Sequence, residues 1–265
     1  MNFASLDEML QDFQPISLEE MKSVKLMNRI DSKYLVPFCQ LPEILSHLSS
    51  NYYAQARDGK KFAHYQTLYY DTPDIQMYVA HQDGKLNRQK LRARIYCETQ
   101  DCFCEIKNKN NKKRTKKKRV EIPVAAFGNM LKNVDAHDFV AEKLHYPVDS
   151  LLANVENNFD RITLVNREKT ERLTIDTHIK FYNHLTGISA QIPELVIIEL
   201  KQDGNYPSFF KALLFDMRIR AKRISKYCLG TMLTVPEVKM NRFKKKLRYI
   251  EKITKTEDYV IASCR

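Results

Sequence analysis

The chain has 265 residues, no tryptophan and only six cysteines. It has no apolar run near the roughly 18 residues that a membrane-spanning helix needs. Cys39, Cys97, Cys102, Cys104, Cys228 and Cys264 are scattered rather than clustered, which excludes a disulfide framework and suits reduced thiols in a cytoplasmic setting. Cys102 and Cys104 have one residue between them, the wrong spacing for a zinc knuckle, and no histidine pair completes such a site. They read as buried or half-buried strand thiols. The opening MNFASLDEML lacks a basic region followed by an apolar stretch, so no signal peptide is expected. No internal repeat or low-complexity linker divides the sequence. The expectation is one α+β domain over residues 1–265, with a core over about 25–235 and an appended C-terminal helix at about 240–254.

What the chain has in excess is positive charge. The net charge is +12, and nine basic residues fall among the thirteen of Lys107–Arg119, with no acid between them. A basic balance of this size implies an anionic partner: nucleic acid, a phosphate-rich small molecule or a membrane surface. The run is flanked by alternating stretches, Glu105-Ile106-Lys107 before it and Arg119-Val120-Glu121-Ile122 after it. That context predicts a hairpin tip between two strands rather than a solvated tail. The sequence has neither an aromatic RNA-recognition motif nor a helix-turn-helix pattern with basic recognition positions, so no specific nucleic acid is expected.

Helix signals are present at Ser17-Leu18-Glu19-Glu20, a capping box opening a helix to about Asn28, and at Pro42, which begins a helix to about Ser50. Strands are expected from Phe62 to Tyr96, broken at Asp71-Thr72-Pro73 and Asp83-Gly84, and on both sides of the basic tip. A helical stretch from about Asp135 to Asn157 follows, then strands at Phe159–Val165, Glu171–Tyr182 and Glu194–Lys201. Helices are expected at Pro207–Met217 and Ser225–Leu233. Asn241–Thr254 places Phe243, Leu247, Ile250 and Ile253 on one helical face; the lysines opposite them are a solvated face.

In strands every second side chain shares a face. Arg88, Lys90, Arg92 and Arg94 therefore share one face, and Leu91, Ala93 and Ile95 the other. The same sorting holds for Phe103, Glu105 and Lys107 against Cys104 and Ile106, and for Arg119 and Glu121 against Val120 and Ile122. It holds again for Arg172, Thr174, Asp176 and His178 against Leu173, Ile175 and Ile179, and for Glu199 and Lys201 against Ile198 and Leu200. One wet face is ordinary in an antiparallel sheet. Repeated over five strands, it points to an antiparallel barrel with helices packed outside and a charged channel inside. Arg and Lys in such a channel pair with phosphate oxygens, and carboxylates among them can hold Mg²⁺ or Mn²⁺. His64, His81 and His178 lack metal-ligand spacing and read as structural or surface residues.

An ordered set of segments resembles the VTC (vacuolar transporter chaperone) domain of the CYTH-like triphosphate tunnel superfamily. The set is Arg29–Tyr34 (RIDSKY), Leu68–Asp74 (LYYDTPD), Tyr78–Tyr96, Glu105-Ile106-Lys107, Arg172–Asp176 (RLTID), Glu199-Leu200-Lys201 and Arg223–Tyr227 (RISKY). The resemblance implies a metal-dependent polyphosphate polymerase, using Mn²⁺ or Mg²⁺ and moving the γ-phosphate of ATP onto inorganic polyphosphate, with phosphate or pyrophosphate as a first acceptor. It implies catalytic or phosphate-holding roles for Lys33, Arg92, Arg94, Arg172 and Lys226, and phosphate contacts for Lys107, Arg119, Arg161 and Arg223. Arg88, Lys90 and Lys201 join these by parity. Glu199 matches the metal carboxylate, with Glu105 and Asp176 as further metal candidates. It leaves room for a membrane-protein partner encoded elsewhere. The hydrolytic tunnel enzymes carry Glu-x-Glu-x-Lys where this chain has Arg29, Asp31 and Lys33, so a cation replaces the first acid. Two other readings compete: a triphosphatase using the same tunnel with water as acceptor, and a non-catalytic polyphosphate or nucleic-acid binding module.

Overall fold

Alternation sorts the two faces of the sheet, and each helix is then placed by the face it covers. The computed structural model describes residues 5–22, 29–112, 115–204, 206–255 and 260–263. Its strands are β1 (Gln14–Ile16), β2 (Arg29–Pro37), β3 (Tyr52–Gln55), β4 (Phe62–Asp71), β5 (Arg88–Tyr96), β6 (Asp101–Lys109), β7 (Thr115–Ile122), β8 (Leu152–Asn166), β9 (Glu171–Asn183), β10 (Ile188–Ile192), β11 (Leu195–Asp203) and β12 (Val260–Ser263). Its helices are α1 (Leu6–Met9), α2 (Leu18–Lys22), α3 (Leu41–Leu48), α4 (Gln76–Gln82), α5 (Val134–Lys143), α6 (Phe209–Asp216), α7 (Lys226–Thr234) and α8 (Lys244–Thr254).

The main path is antiparallel and runs β2–β11–β9–β8–β4–β5–β6–β7. β10 and β12 continue from β9, and β3 joins β8 and carries β1 as a parallel partner. The fold is thus α+β and antiparallel, as expected, but the barrel is a curled sheet with a seam: among the described residues β2 and β7 do not pair. The curl shows in the electrostatics. Lys107 on β6 feels the charges of Glu199 on β11 and Lys33 on β2, although four strands separate β6 from β11 along the hydrogen-bonded path. The free edge of β2 is partly occupied by the chain leading into α7, where the Lys222 N–H donates to the Lys33 carbonyl at 2.7 Å.

Outside the curl, α1, α3 and α6 cover Tyr34, Val36, Ile162, Leu164, Leu173, Ile175, Val196, Ile198 and Leu200. The segment from Val124 through α5 covers Leu91, Ala93, Ile95, Cys102, Cys104 and Ile106. Cys102 and Cys104 are buried free thiols, whereas Cys39 is exposed; Cys264 lies outside the described residues. The Ser17 capping box forms, with the Ser17 N–H donating to Glu20 Oε2 at 2.8 Å and the Glu20 N–H donating to Ser17 Oγ at 3.2 Å; beyond Lys22 its helix lies outside the described residues. No described helix is long and apolar enough to cross a membrane.

Four expectations are corrected. The helix expected over 135–157 stops at Lys143, and Leu152 already opens the fifteen-residue β8. Pro147 has no N–H to continue a helix and disfavours helical backbone in the residue before it. Residues 76–82, read as strand, form α4. β9 changes phase at a bulge: register slips between Asn158 and Asp160 of β8, and His178 has φ 51°. His178 thereby leaves the face of Asp176 and bonds Asp160 at 2.7 Å on the exposed side, while Ile179 turns inward. Finally, α7 does not pack outside. It is buried from Tyr227 to Thr234 against Leu35, Val155, Phe159, Ile179, Phe181 and Ile197. Leu35 shares a face with Lys33, and Ile197 with Glu199, so α7 plugs one end of the charged face.

The plug fits closely at Gly230, where a Cβ would stand 2.6 Å from both Phe181 Cδ1 and Val155 Cγ1. Gly230→Ala is expected to destabilise the protein by about 1–3 kcal/mol through overpacking. Urea unfolding checks this, and an unchanged midpoint would contradict the packing of α7 inside the sheet.

Candidate anion-binding tunnel

Register brings the inward residues into rows. On one wall Asp31, Lys201 and Arg172 lie side by side, then Lys33, Glu199 and Thr174, then Asp176 and Arg161. On the other wall Lys90, Lys107 and Lys117 form a row, then Tyr69, Arg92, Glu105 and Arg119, then Thr67, Arg94, Phe103 and Glu121. Like charges placed this close repel, and three carboxylates hold them. Glu105 accepts from Arg92 Nε and from Lys117 Nζ, each at 2.7 Å. Asp176 takes Arg161 in a fork, Nε at 2.6 Å and Nη2 at 2.8 Å, and also meets Lys226. Glu199 pairs with Lys33 at 2.8 Å and Lys201 at 3.5 Å.

The pairing decides the protonation states. Burial pushes the Glu105, Asp176 and Glu199 carboxyls upward, but their cationic neighbours outweigh it and hold all three below the ordinary carboxylate range. The stability this contributes is present above the unfolded carboxyl value near 4 and is lost as the pH falls through the depressed folded values. The lysines shift the opposite way. Burial, with help from neighbouring cations, lowers Lys90 and Lys201 to about 8 and lowers Lys226 as well. Arg92 and Arg161 stay charged because Glu105 and Asp176 more than offset their burial.

Neutral groups finish the lining. Lys90 Nζ donates to Ser225 Oγ at 2.6 Å, and Arg94 Nε to Thr67 Oγ1 at 3.1 Å. Tyr65 and Phe159 stack at 5.3 Å. Arg161 lies 4.8 Å from the Tyr65 centroid and Lys226 3.7 Å from that of Phe159. Rings of this kind hold a cation without neutralising it, leaving its charge for an anion. Phe103 stands on the charged face, as its parity with Glu105 and Lys107 predicts, whereas the sequence pattern does not single out Tyr65, Thr67, Tyr69, Lys117, Phe159 or Ser225. Tyr65, Thr67 and Tyr69 share one face of β4, but that strand carries no Lys or Arg to mark the face in the sequence, and only register joins them to the cations, Thr67 opposite Arg94 and Tyr69 opposite Arg92.

The other expected residues stand nearer the rim. Lys107 and Arg119 are exposed, with the Arg119 guanidinium 4.1 Å from the Phe103 centroid. Arg88 donates to the Lys85 carbonyl at 2.6 Å; burial lowers its pKa, and exposed Arg223 adds a smaller push in the same direction. The basic run is a hairpin tip, Lys109 pairing with Thr115, but Lys113 and Arg114 lie outside the described residues. Arg29 is paired with Asp203 through its backbone.

Among the described residues no three His, Cys, Asp or Glu side chains form a group able to hold a metal ion. A dedicated protein cage for Mn²⁺ or Mg²⁺ is therefore not what this site offers. Mg²⁺ is commonly held by one or two carboxylates together with substrate phosphates. Glu199, ionised and paired with the Lys33 and Lys201 ammonium groups while the Arg161 guanidinium is already committed to Asp176, fits that limited role. Glu105 and Asp176 are each enclosed by a guanidinium and an ammonium, surroundings that repel a second cation.

Two outcomes follow from these charges. Asp176→Asn leaves Arg161 and Lys226 facing each other, so it is expected to cost about 3–5 kcal/mol of stability. Millimolar tripolyphosphate should restore part of the lost melting temperature by replacing the missing charge; a variant as stable as the parent would contradict the bridge. Anion binding favours the protonated lysines, so it should take up protons near pH 8 and weaken as the pH rises from about 7 to 9. Calorimetry in buffers of different ionisation enthalpy reads this directly, and proton release would reverse the assignment.

A Hippeastrum protein described as having dominant triphosphatase activity is 16% identical, with 79% of this chain and 98% of that chain covered and a TM-score of 0.47. A Bacillus halodurans protein named for adenylate cyclase is 15% identical over 75% of this chain and 96% of that chain, with a TM-score of 0.49. A Vibrio parahaemolyticus protein named likewise is 12% identical over 77% and 99%, with a TM-score of 0.46. None of the curated proteins compared with the chain matches it. The VTC domain family matches residues 28–235, most of the sequence, and the chain belongs to that family.

Proposed function

We propose that this chain extends inorganic polyphosphate by transferring the γ-phosphate of ATP to a phosphate acceptor inside the tunnel. The observation that carries the reading is that Arg92, Arg94, Arg161, Arg172, Lys33 and Lys226 share one enclosed inner face, several of them held in place by Glu105, Asp176 and Glu199. Phosphoryl transfer needs alignment of the attacking and leaving oxygens and neutralisation of charge, and little covalent chemistry. The inner face supplies those two things. An acceptor phosphate is already ionised, so no general base is required of it.

In this reading Arg92, Arg94, Arg161 and Arg172 clamp the ATP phosphates, and Lys33 and Lys226 hold the acceptor end. Lys90, Lys201 and Lys107 add charge along the path, and Arg88, Arg119 and Arg223 stand toward its rim. Glu199 would share a divalent ion with phosphate oxygens; such an ion, when bound, offsets charge on the triphosphate. Ion pairs give way as phosphate arrives: Lys33 can exchange Glu199 for a phosphate oxygen, and Arg92 has donors left beyond Glu105. The cation at Arg29, where hydrolytic tunnel enzymes carry an acid, favours phosphate over water as acceptor.

The deciding experiment is incubation with ATP and Mn²⁺ or Mg²⁺, with products resolved by gel and ³¹P spectroscopy. Chains longer than the input, formed with ADP, are expected. ADP with orthophosphate and no chain growth would identify a triphosphatase, and no turnover with retained polyphosphate binding would identify a binding module. Arg92→Ala is expected to lower kcat/KM by roughly 30- to 1000-fold, corresponding to about 2–4 kcal/mol of transition-state stabilisation.

A further inference from the structure

α4 starts without a cap of its own. Its N-cap residue is Ile75, a branched side chain in the left-handed region at φ 50° and ψ 43°, which makes no capping hydrogen bond. Branched residues seldom adopt that conformation, and it persists only where surrounding contacts impose it. Of the open donors of the first turn, the Gln76 N–H is answered by Thr72 Oγ1 at 2.9 Å and the next two by Asp71, which is completely buried at the end of β4. Asp71 Oδ1 accepts from the N–H groups of Thr72 at 2.8 Å and Met77 at 2.9 Å, and Oδ2 from that of Tyr78 at 3.0 Å. Oδ2 also accepts from the hydroxyl of Tyr227 on α7. All four partners are donors, which is the arrangement of an ionised carboxylate. Burial holds the Asp71 carboxyl above its ordinary value, and these bonds, led by that of Tyr227, offset the rise only in part.

Tyr227 is adjacent to Lys226 and two residues from Ser225. Its ring lies 4.9 Å from that of Tyr69 and 5.7 Å from Lys90 Nζ. The same turn of α7 sends Ser225 to Lys90 and Lys226 to Asp176. A second tie between α4 and α7 joins Cys228 Sγ and His81 Nδ1 at 3.1 Å. One buried carboxylate thus fixes the start of α4 and, through one phenol, the start of the plug helix that reaches into the cation rows.

We infer that Asp71 and Tyr227 are positioning residues for the anion site: their buried hydrogen bond registers α7 so that Ser225 and Lys226 meet Lys90 and Asp176. The inference rests on the reading of the tunnel as a phosphate site, and on no particular fate of the phosphate. Neither residue belongs to the cation rows; Asp71 acts through Tyr227, and Tyr227 through its neighbours in α7.

The test measures the Kd for inorganic tripolyphosphate by calorimetry, alongside melting temperature, in the full chain. The variants are Tyr227→Phe, Asp71→Asn, Lys226→Met and the double variant Tyr227→Phe/Lys226→Met. Tyr227→Phe and Asp71→Asn are each expected to weaken binding about tenfold, on the scale of one hydrogen bond to a buried charge. In the Lys226→Met background the loss from Tyr227→Phe should shrink to less than about twofold, because the group it positions is gone. Tyr227→Phe keeps the ring and carries the test if Asp71→Asn is too unstable to purify. Equal losses with and without Lys226, or an unchanged Kd in folded Tyr227→Phe, would overturn the positioning role. A parent protein that fails to bind tripolyphosphate would sink the phosphate-site reading itself, a result visible before any variant is compared.

Discussion

The constraint on which the structure turns is the mutual repulsion of cations crowded onto one inner face. Lys33, Arg92, Lys117, Arg161, Lys201 and Lys226 could not stand there in a folded chain without counter-charge. Glu105, Asp176 and Glu199 supply it by each bridging two of them. Removing ions from water is expensive unless the pairing and hydrogen bonding are nearly complete. The bridges provide that completion and hold the guanidinium groups in orientation. The same carboxylates limit how many cations are committed, because positive groups outnumber them. Burial first, and neighbouring cations after it, lower the pKa values of Lys90 and Lys201.

The second organising element is α7. The sequence pattern led to an open charged channel, whereas the interior is charged along part of its length and apolar where α7 enters. Nothing in the periodicity of residues 226–234 distinguishes a helix inside a curled sheet from one outside it. Near-complete burial around its circumference is a tertiary fact. Strand parity, by contrast, was legible from the sequence because the period of two is imposed by backbone geometry. The rows at Arg88–Arg94, Glu105, Arg172–Asp176 and Glu199 could be read from it directly.

Where parity failed, the cause is local and physical. His178 was placed with Asp176 because no turn residue marks the bulge; the extra residue shows itself only in a positive φ and a register slip. The seven residues of α4 are short for a helix signal, and their cap comes from Asp71 and Thr72 at the end of β4 rather than from the residue next to the helix, Ile75. The helix at residues 135–157 was extended too far because the break at Pro147 was passed over. The aromatic lining went unread for a different reason: Tyr65 and Phe159 count as core residues in any hydrophobic pattern, and only the guanidinium and ammonium groups above them make them part of a charged site.

The bulge in β9 has a consequence beyond the placement of one histidine. A strand of constant phase can present one kind of surface to the interior along its whole length. β9 has to do two things: carry charged residues into the rows at Arg172 and Asp176, and receive an apolar helix at Ile179 and Phe181. The bulge acts as a half-period slip in a standing wave. Ahead of it the even-numbered residues 172, 174 and 176 point inward; behind it the odd-numbered 179, 181 and 183 do. One strand thereby serves as wall and socket in turn, and the boundary between wet and dry interior is set by the position of a single residue.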